Sequence, residues 1–385
     1  MILPSLAHRS IADARIQAFQ HPQVAPPPQG WRGGLVLGDG EEDARLRQTR
    51  SRKPVDSFDP AAEYPSILEG SYVYAGATYH HFGHVMAEMV HRIIPSKAHV
   101  RDPHWVLVTT PKYPRNTFEK LFDWLKPIYE FLELNESNVS VLNQNTIVSE
   151  LFVCEQGSDY GGGAKPGYLD LLADYTHGRL DKLHGAQKSN GRIYVSRSAY
   201  GSPGSILGER YVERILAAEG FEVFHPENCS FTEQMDTYRK AELLVFPEGS
   251  ACHGVELLGT GSLGRCVFLN RRHNHIQIFR KTLEPRATEF LLFDKNVTLG
   301  SLAANPATGN PLEHLGVSLF DFDALVEFFR NTGLASMRGA TRRDYLEEAE
   351  RDLFRHIERQ AMKEPMFTNL DLLKKLLHAF DAARA

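Results

Sequence analysis

The sequence predicts an α/β protein whose second half is a parallel, Rossmann-like sheet. Three observations carry this. From Arg192 to Leu269, apolar runs of strand length alternate with amphipathic helical stretches, giving β-α-β-α-β-α-β. From about Ser71 to Leu183, strand-like and helix-like patterns alternate as well. After about Leu319 the chain turns helical. A length of 385 residues leaves room for two domains, each with its own core.

Residues 1–60 show little pattern and are expected to be an irregular N-terminal segment. Pro26-Pro27-Pro28 reads as a loop or extended connector. Arg45–Lys53 is a basic run, solvated by default, with contact to an anionic membrane or a polyanionic substrate as the alternative. A first α/β domain is expected over 61–185. Ser71–Ala75 alternates like a strand, and a helical segment runs from His84 to about Ile94, ended by Pro95. Trp105–Val108 reads as a buried strand. Phe118, Leu121, Phe122 and Leu125 have helical spacing. Val139–Leu142 and Thr146–Phe152 read as strands, Gly161-Gly162-Gly163 as a flexible loop, and Tyr168–Leu183 as a helix.

The polar stretch Lys182–Gly191 marks the boundary to a second domain over 186–318. Its strands are Arg192–Val195, Phe221–Phe224, Leu243–Phe246 and Cys266–Leu269. A helix over Glu209–Glu219 is stopped by Gly220 at C′. Ser230-Phe231-Thr232-Glu233 is a capping box opening the next helix. Residues 319–385 form a helical segment, in which Leu346, Ala349, Leu353 and Ile357 make one stripe. Those helices are expected to pack on the body, with partner binding as the alternative.

Composition narrows the function. With 43 basic and 48 acidic side chains, the net charge of −5 is not that of a general nucleic-acid binder. Four cysteines without a C-x-x-C pair exclude the usual zinc spacings and give no dense disulfide framework. No stretch approaches the ~20 apolar residues of a membrane span, and the N-terminus lacks a signal-peptide pattern. A cytoplasmic protein is expected, with association at the inner face of the membrane left open, as is a homo-oligomer. The Asn-X-Ser/Thr matches at Asn135, Asn138, Asn228 and Asn296 are then chance.

The loop Pro247–Gly254 lies between the strand Leu243–Phe246 and a helix-like run from Val255. Small residues there leave backbone N–H groups free to meet an anion; an ordinary tight turn is the alternative. Three pieces in order are more specific: Phe82–Arg92, then Ile193-Tyr194-Val195-Ser196-Arg197, then Phe221–Ala251. In this order they resemble glycosyltransferase family 61, whose bacterial members are often linked to capsule and lipopolysaccharide synthesis. The resemblance covers roughly residues 70–270.

It implies a GT-B-like arrangement, two Rossmann-like domains facing a cleft. It also implies inverting, metal-independent transfer from a nucleotide sugar to a saccharide or lipid-linked glycan. No cofactor beyond that co-substrate is implied, and no metal. Under it, His84, Glu88 and Arg197 are the catalytic candidates, and His80, His81 and Arg92 lie on the acceptor side. Ser196, Glu248, Gly249, Ser250, Ala251, His253 and Glu256 lie on the donor side. One departure stands out: the family commonly has His-Gly where this chain has Glu248-Gly249. A glutamate repels a diphosphate unless it is protonated or turned to sugar hydroxyls.

The chemistry fits those residue types. An acceptor hydroxyl needs a Glu, Asp or His base, and a departing diphosphate needs Arg, Lys or a helix N-terminus. His84, Glu88 and Arg92 fall at i, i+4 and i+8 on one helix face, so Glu88–Arg92 is equally readable as a structural ion pair. Which of His84 and Glu88 is the base stays open. Arg197 ends a strand, where ligands collect in parallel sheets; a salt bridge is its alternative. Glu256 is a candidate acceptor from ribose hydroxyls, and Arg271, Arg272, His273 and His275 are candidate sources of positive charge. Glu248 also motivates another class, a catalytically inactive glycan- or nucleotide-binding subunit of an assembly complex. A nucleotide-dependent oxidoreductase is disfavoured because no G-x-G-x-x-G opens either half.

Overall fold

The computed structural model describes residues 4–20, 30–78, 80–111, 116–186, 191–199, 204–272, 275–305, 308–363 and 370–384, of which 361–363 by backbone alone. Pro26–Pro28 and His273 lie outside them.

Seven strands build the first sheet: β1 (His8–Gln20), β2 (Trp31–Leu35), β3 (Asp56–Ser57), β4 (Ser66–Ala77), β5 (Trp105–Val108), β6 (Val139–Leu142) and β7 (Thr146–Cys154). Their order is β3-β2-β1-β7-β4-β5-β6. The sheet is mixed. β4 runs parallel to β5 and β7, while β1 is antiparallel to β7, from His8↔Cys154 to Ile16↔Thr146. Four adjacent strands, β7, β4, β5 and β6, are parallel, and antiparallel β1 extends them on one side.

The expectation of an irregular 1–60 is overturned, because β1 is 13 residues long and β2 pairs beside it. Its alternation is masked by Arg9, which shares the half-buried side with Ile11, and by Asp13, whose φ of 49° interrupts the regular strand. The basic run also folds inward: Arg45 pairs with Glu155, Arg47 with Asp56 and Arg50 with Glu88. The helix expected over Phe118–Leu125 is a series of turns that still buries Phe118, Leu121 and Leu125. Pro127 lacks the N–H that a helix running through would need and instead sits in the first turn of Lys126–Phe131.

The second sheet has five strands, β8 (Arg192–Val195), β9 (Phe221–Phe224), β10 (Leu243–Pro247), β11 (Leu263–Leu269) and β12 (Ala287–Phe293). All are parallel, in the order β9-β8-β10-β11-β12. Helices Glu209–Ala218 and Phe231–Lys240 make the first crossovers. Ser230 caps the second through a complete capping box, and Gly220 follows the first at φ 84°. The strand order reverses between β8 and β10. Open α/β sheets bind ligands beyond the carboxyl ends of the strands at that position.

One apolar cluster joins the two sheets. Val73, Trp105 and Leu107 of the first pack with Ile193, Leu244, Phe246 and Phe268 of the second, alongside Leu171 and Leu172 of helix Tyr168–His184. The opposite face of the second sheet, with Tyr194, Val245 and Val267, is covered by helices Phe322–Asn331 and Arg342–Lys363 through Leu325, Phe329 and Leu353. The C-terminal helices thus pack on the body.

Candidate active site

The histidine-bearing segment leaves the carboxyl end of β4. His81 caps it, its ring accepting from the backbone N–H of His84 at 3.3 Å. Val85–Met89 is a π-helical turn and Val90–Arg92 a 3₁₀ turn. π turns are rare and concentrate at functional sites. Within this one, Nδ1 of His84 meets a carboxylate oxygen of Glu88. Glu88 is fully buried. Arg50 forks onto it from the first half of the chain, Nε to Oε2 at 2.7 Å and Nη2 to Oε1 at 2.9 Å. The Arg50 guanidinium lies 4.6 Å from the Trp31 ring centre and 5.7 Å from that of Tyr160. Burial raises the Glu88 pKa, but hydrogen bonds from His84 and Arg50 outweigh it, so the carboxyl sits below its ordinary range.

The expected Glu88–Arg92 pair does not form. The π and 3₁₀ turns carry Arg92 away, and it is buried, donating to the carbonyls of Cys154 (2.7 Å) and Arg47 (2.5 Å) and to Gln156 (3.2 Å). An acceptor-binding role for Arg92 is not compatible with that position. His80 is exposed, its ring centre 4.1 Å from that of Phe122 and 5.9 Å from that of Trp124.

At the reversal of strand order, Arg197 follows β8 and Gly249 follows β10. A Cβ at Gly249 would stand 1.4 Å from Nη1 of Arg197, so only glycine lets the guanidinium lie across this loop. Arg197 Nη2 also donates to Gly204 O at 3.1 Å. Ser196 is buried and its hydroxyl donates to Glu213. Glu248 is fully buried and saturated: its oxygens accept from the backbone N–H groups of Arg271 (3.0 Å) and Arg272 (2.8 Å) and from Arg272 Nε (2.6 Å). It faces neither sugar hydroxyls nor a diphosphate. The helix expected after this loop is a 3₁₀ segment of six residues, Ser250–Val255. That is too short for a useful macrodipole, and Ala251 packs against the core.

His253 and Glu256 form a second histidine–carboxylate pair, Nδ1 to Oε1 at 3.0 Å. Glu256 is buried, where Thr282 (3.2 Å) and Arg286 (3.4 Å) also donate to it. Burial opposes its charge, yet His253 and Arg286 hold its carboxyl down at about 2. It does not reach toward a ribose; it orients His253, whose Nε2 makes no hydrogen bond among the described residues.

These two walls touch. A Cβ on Gly83 would lie 3.2 Å from His253 and 3.3 Å from Ser250 Oγ. Tyr160 bridges them, its ring centre 5.9 Å from that of His84 and 6.1 Å from that of His253. His81 is exposed within this crowded concavity. Desolvation and the neighbouring His84 and His253 push its ring down to about 4, so it is neutral near pH 7. The structure therefore brings together His81, His84, Glu88, Arg197, Gly249, Ser250, His253 and Glu256. Sequence reading missed Arg50, Arg286 and Tyr160, and it named Arg272 as positive charge without its partner Glu248. Arg50 was visible as part of the basic run, but nothing in that run indicates a partner 38 positions later.

Residues 82–262 match the family model described as Glycosyltransferase 61. No curated protein matches the chain.

Proposed function

We propose, taking residues 82–262 as a glycosyltransferase 61 segment, that the protein transfers a sugar with inversion from a nucleotide sugar to a saccharide or lipid-linked acceptor. Contact between the His84–Glu88 wall and the loop at the strand-order reversal carries this reading. The first sheet then serves the acceptor and the second the donor, as halves of a GT-B arrangement. The product belongs to a cell-surface polysaccharide of the capsule, lipopolysaccharide or exopolysaccharide type. Transfer takes place in the cytoplasm.

In this mechanism His84 is the base. Glu88 is closed off by Arg50 and His84, whereas the His84 side chain is 29% exposed. Glu88 fixes the proton of His84 on Nδ1, leaving Nε2 to accept the proton of the acceptor hydroxyl. The acceptor oxygen bonds to the anomeric carbon from the face opposite the diphosphate. The carbon–oxygen bond to phosphate breaks, and its electron pair leaves with the diphosphate. Arg197 and His253 meet that charge without a metal. The alternative of an inactive binding subunit arose from Glu248 repelling a diphosphate, and Arg272 removes that reason.

Incubation with a panel of nucleotide sugars should give slow donor hydrolysis and protection against thermal unfolding; no response to any donor would sink the proposal. Gly249→Ala is a sharper test. Its methyl meets only the end of a flexible side chain, so the fold survives and Arg197 is displaced. Nucleoside-diphosphate affinity, read by calorimetry, should fall about 10- to 150-fold, the loss of one charge-assisted contact of about 1.5–3 kcal/mol. Unchanged affinity would remove Arg197 from the donor site.

A further inference from the structure

Beside the donor loop is a small cavity of about 40 Å³ lined by Arg197, Arg210, Arg355 and Arg359, with Glu209 and Asp352. It lies at the first crossover after β8, against the N-terminal end of helix Glu209–Ala218. Arg355 and Arg359 come from helix Arg342–Lys363, outside the matched segment 82–262.

Its two carboxylates are already engaged. Glu209 accepts from the backbone N–H of Arg197 at 2.9 Å and from the Tyr194 hydroxyl at 3.2 Å. Burial lifts its pKa to about 7, which weakens its negative charge. Asp352 accepts from Gly208 N at 3.0 Å and from Arg355 at 2.9 Å. Among the described residues, no hydrogen bond or ion pair holds Arg210 or Arg359, and the buried Nε of Arg197 has no partner. Arg355 is paired with Asp352 and reaches Glu348 at 3.6 Å, so Arg197, Arg210 and Arg359 supply the cavity's unpaired positive charge. Guanidinium forks match phosphoryl oxygens. On the scale of water-sized voids the space holds about three waters, close to one tetrahedral phosphoryl group.

We propose that this cavity is a phosphoryl-binding subsite completed by Arg210 and Arg359. The proposal rests on the nucleotide-sugar reading only for the source of the phosphoryl group, donor diphosphate or phosphorylated acceptor. Calorimetry on the full chain with inorganic pyrophosphate, uridine diphosphate and glucose 1-phosphate tests it, in the wild type and in Arg210→Ala, Arg359→Ala and His84→Ala. Both arginine substitutions are at accessible positions and leave the fold intact. Each should weaken pyrophosphate binding about tenfold, and His84→Ala should leave it unchanged. Loss of uridine diphosphate binding in parallel assigns the subsite to the donor. Loss of glucose 1-phosphate binding alone assigns it to the acceptor. Undiminished pyrophosphate binding in both arginine variants, or none to the wild type, overturns the subsite. Arginine-dependent binding without any turnover would leave the subsite standing and remove the transferase reading. Turnover with arginine-independent binding would do the reverse.

Discussion

His84→Ala should lower sugar transfer by about 10²- to 10⁴-fold, the usual range for removing a positioned general base. Donor affinity should change little, because the loss falls on proton transfer. Glu88→Gln should lower turnover as well, for a different reason. It leaves Arg50 a neutral partner and no longer fixes the His84 tautomer. The pH–rate profile separates the two roles. His84→Ala should lose the limb due to the base, whereas Glu88→Gln should retain a limb shifted along the pH axis. Turnover within tenfold of wild type in His84→Ala would place the base elsewhere.

The second large effect is on stability. Arg286 is 1% exposed, and its guanidinium donates to the carbonyls of Leu258 (2.8 Å), Thr282 (2.6 Å) and Glu256 (2.9 Å) as well as to the Glu256 carboxylate. Arg286→Met strands a buried carboxylate and three carbonyls. It should cost about 3–5 kcal/mol in urea unfolding, as breaking a buried pair generally does. The pH dependence has a defined sign. Glu256 is held at about 2, below its ordinary 4.5, so its contribution is present above pH 4.5 and is lost as pH falls toward 2. Without Arg286 the carboxyl titrates higher, so the penalty is largest near neutral pH and shrinks on acidification. Adding Glu256→Gln should recover part of the loss. A penalty below about 1 kcal/mol at pH 7 would mean water reaches the pair.

Local signals made the second sheet legible. Phe221–Phe224 lies between the C′ glycine Gly220 and the capping box at Ser230, and Arg192–Val195 and Leu243–Phe246 are short apolar, largely buried runs, all signalled by neighbours in sequence. The His84–Glu88 contact was readable for the same reason, at four-residue spacing. What escaped was non-local. Arg50 reaches Glu88 from a two-residue strand, Thr49–Arg50, that has no pattern of its own. Arg272 neutralises Glu248 from beyond a neighbouring strand, which turned an apparent obstacle to a diphosphate into a loop anchor. Arg92 was misassigned because helical spacing was assumed where the backbone widens.

That widening makes the length of the segment a structural constraint. A π turn holds one residue more than the regular turn it replaces. Deleting a single residue from Val85–Met89 would restore ordinary winding and rotate one side of the segment by about 100° relative to the other. His84 and Glu88, then three residues apart, would still share a face, whereas Arg92 would turn off the Cys154 and Arg47 carbonyls. In this stretch a deletion costs the buried Arg92 anchor rather than the histidine, so the extra residue is tied to the packing behind the pair.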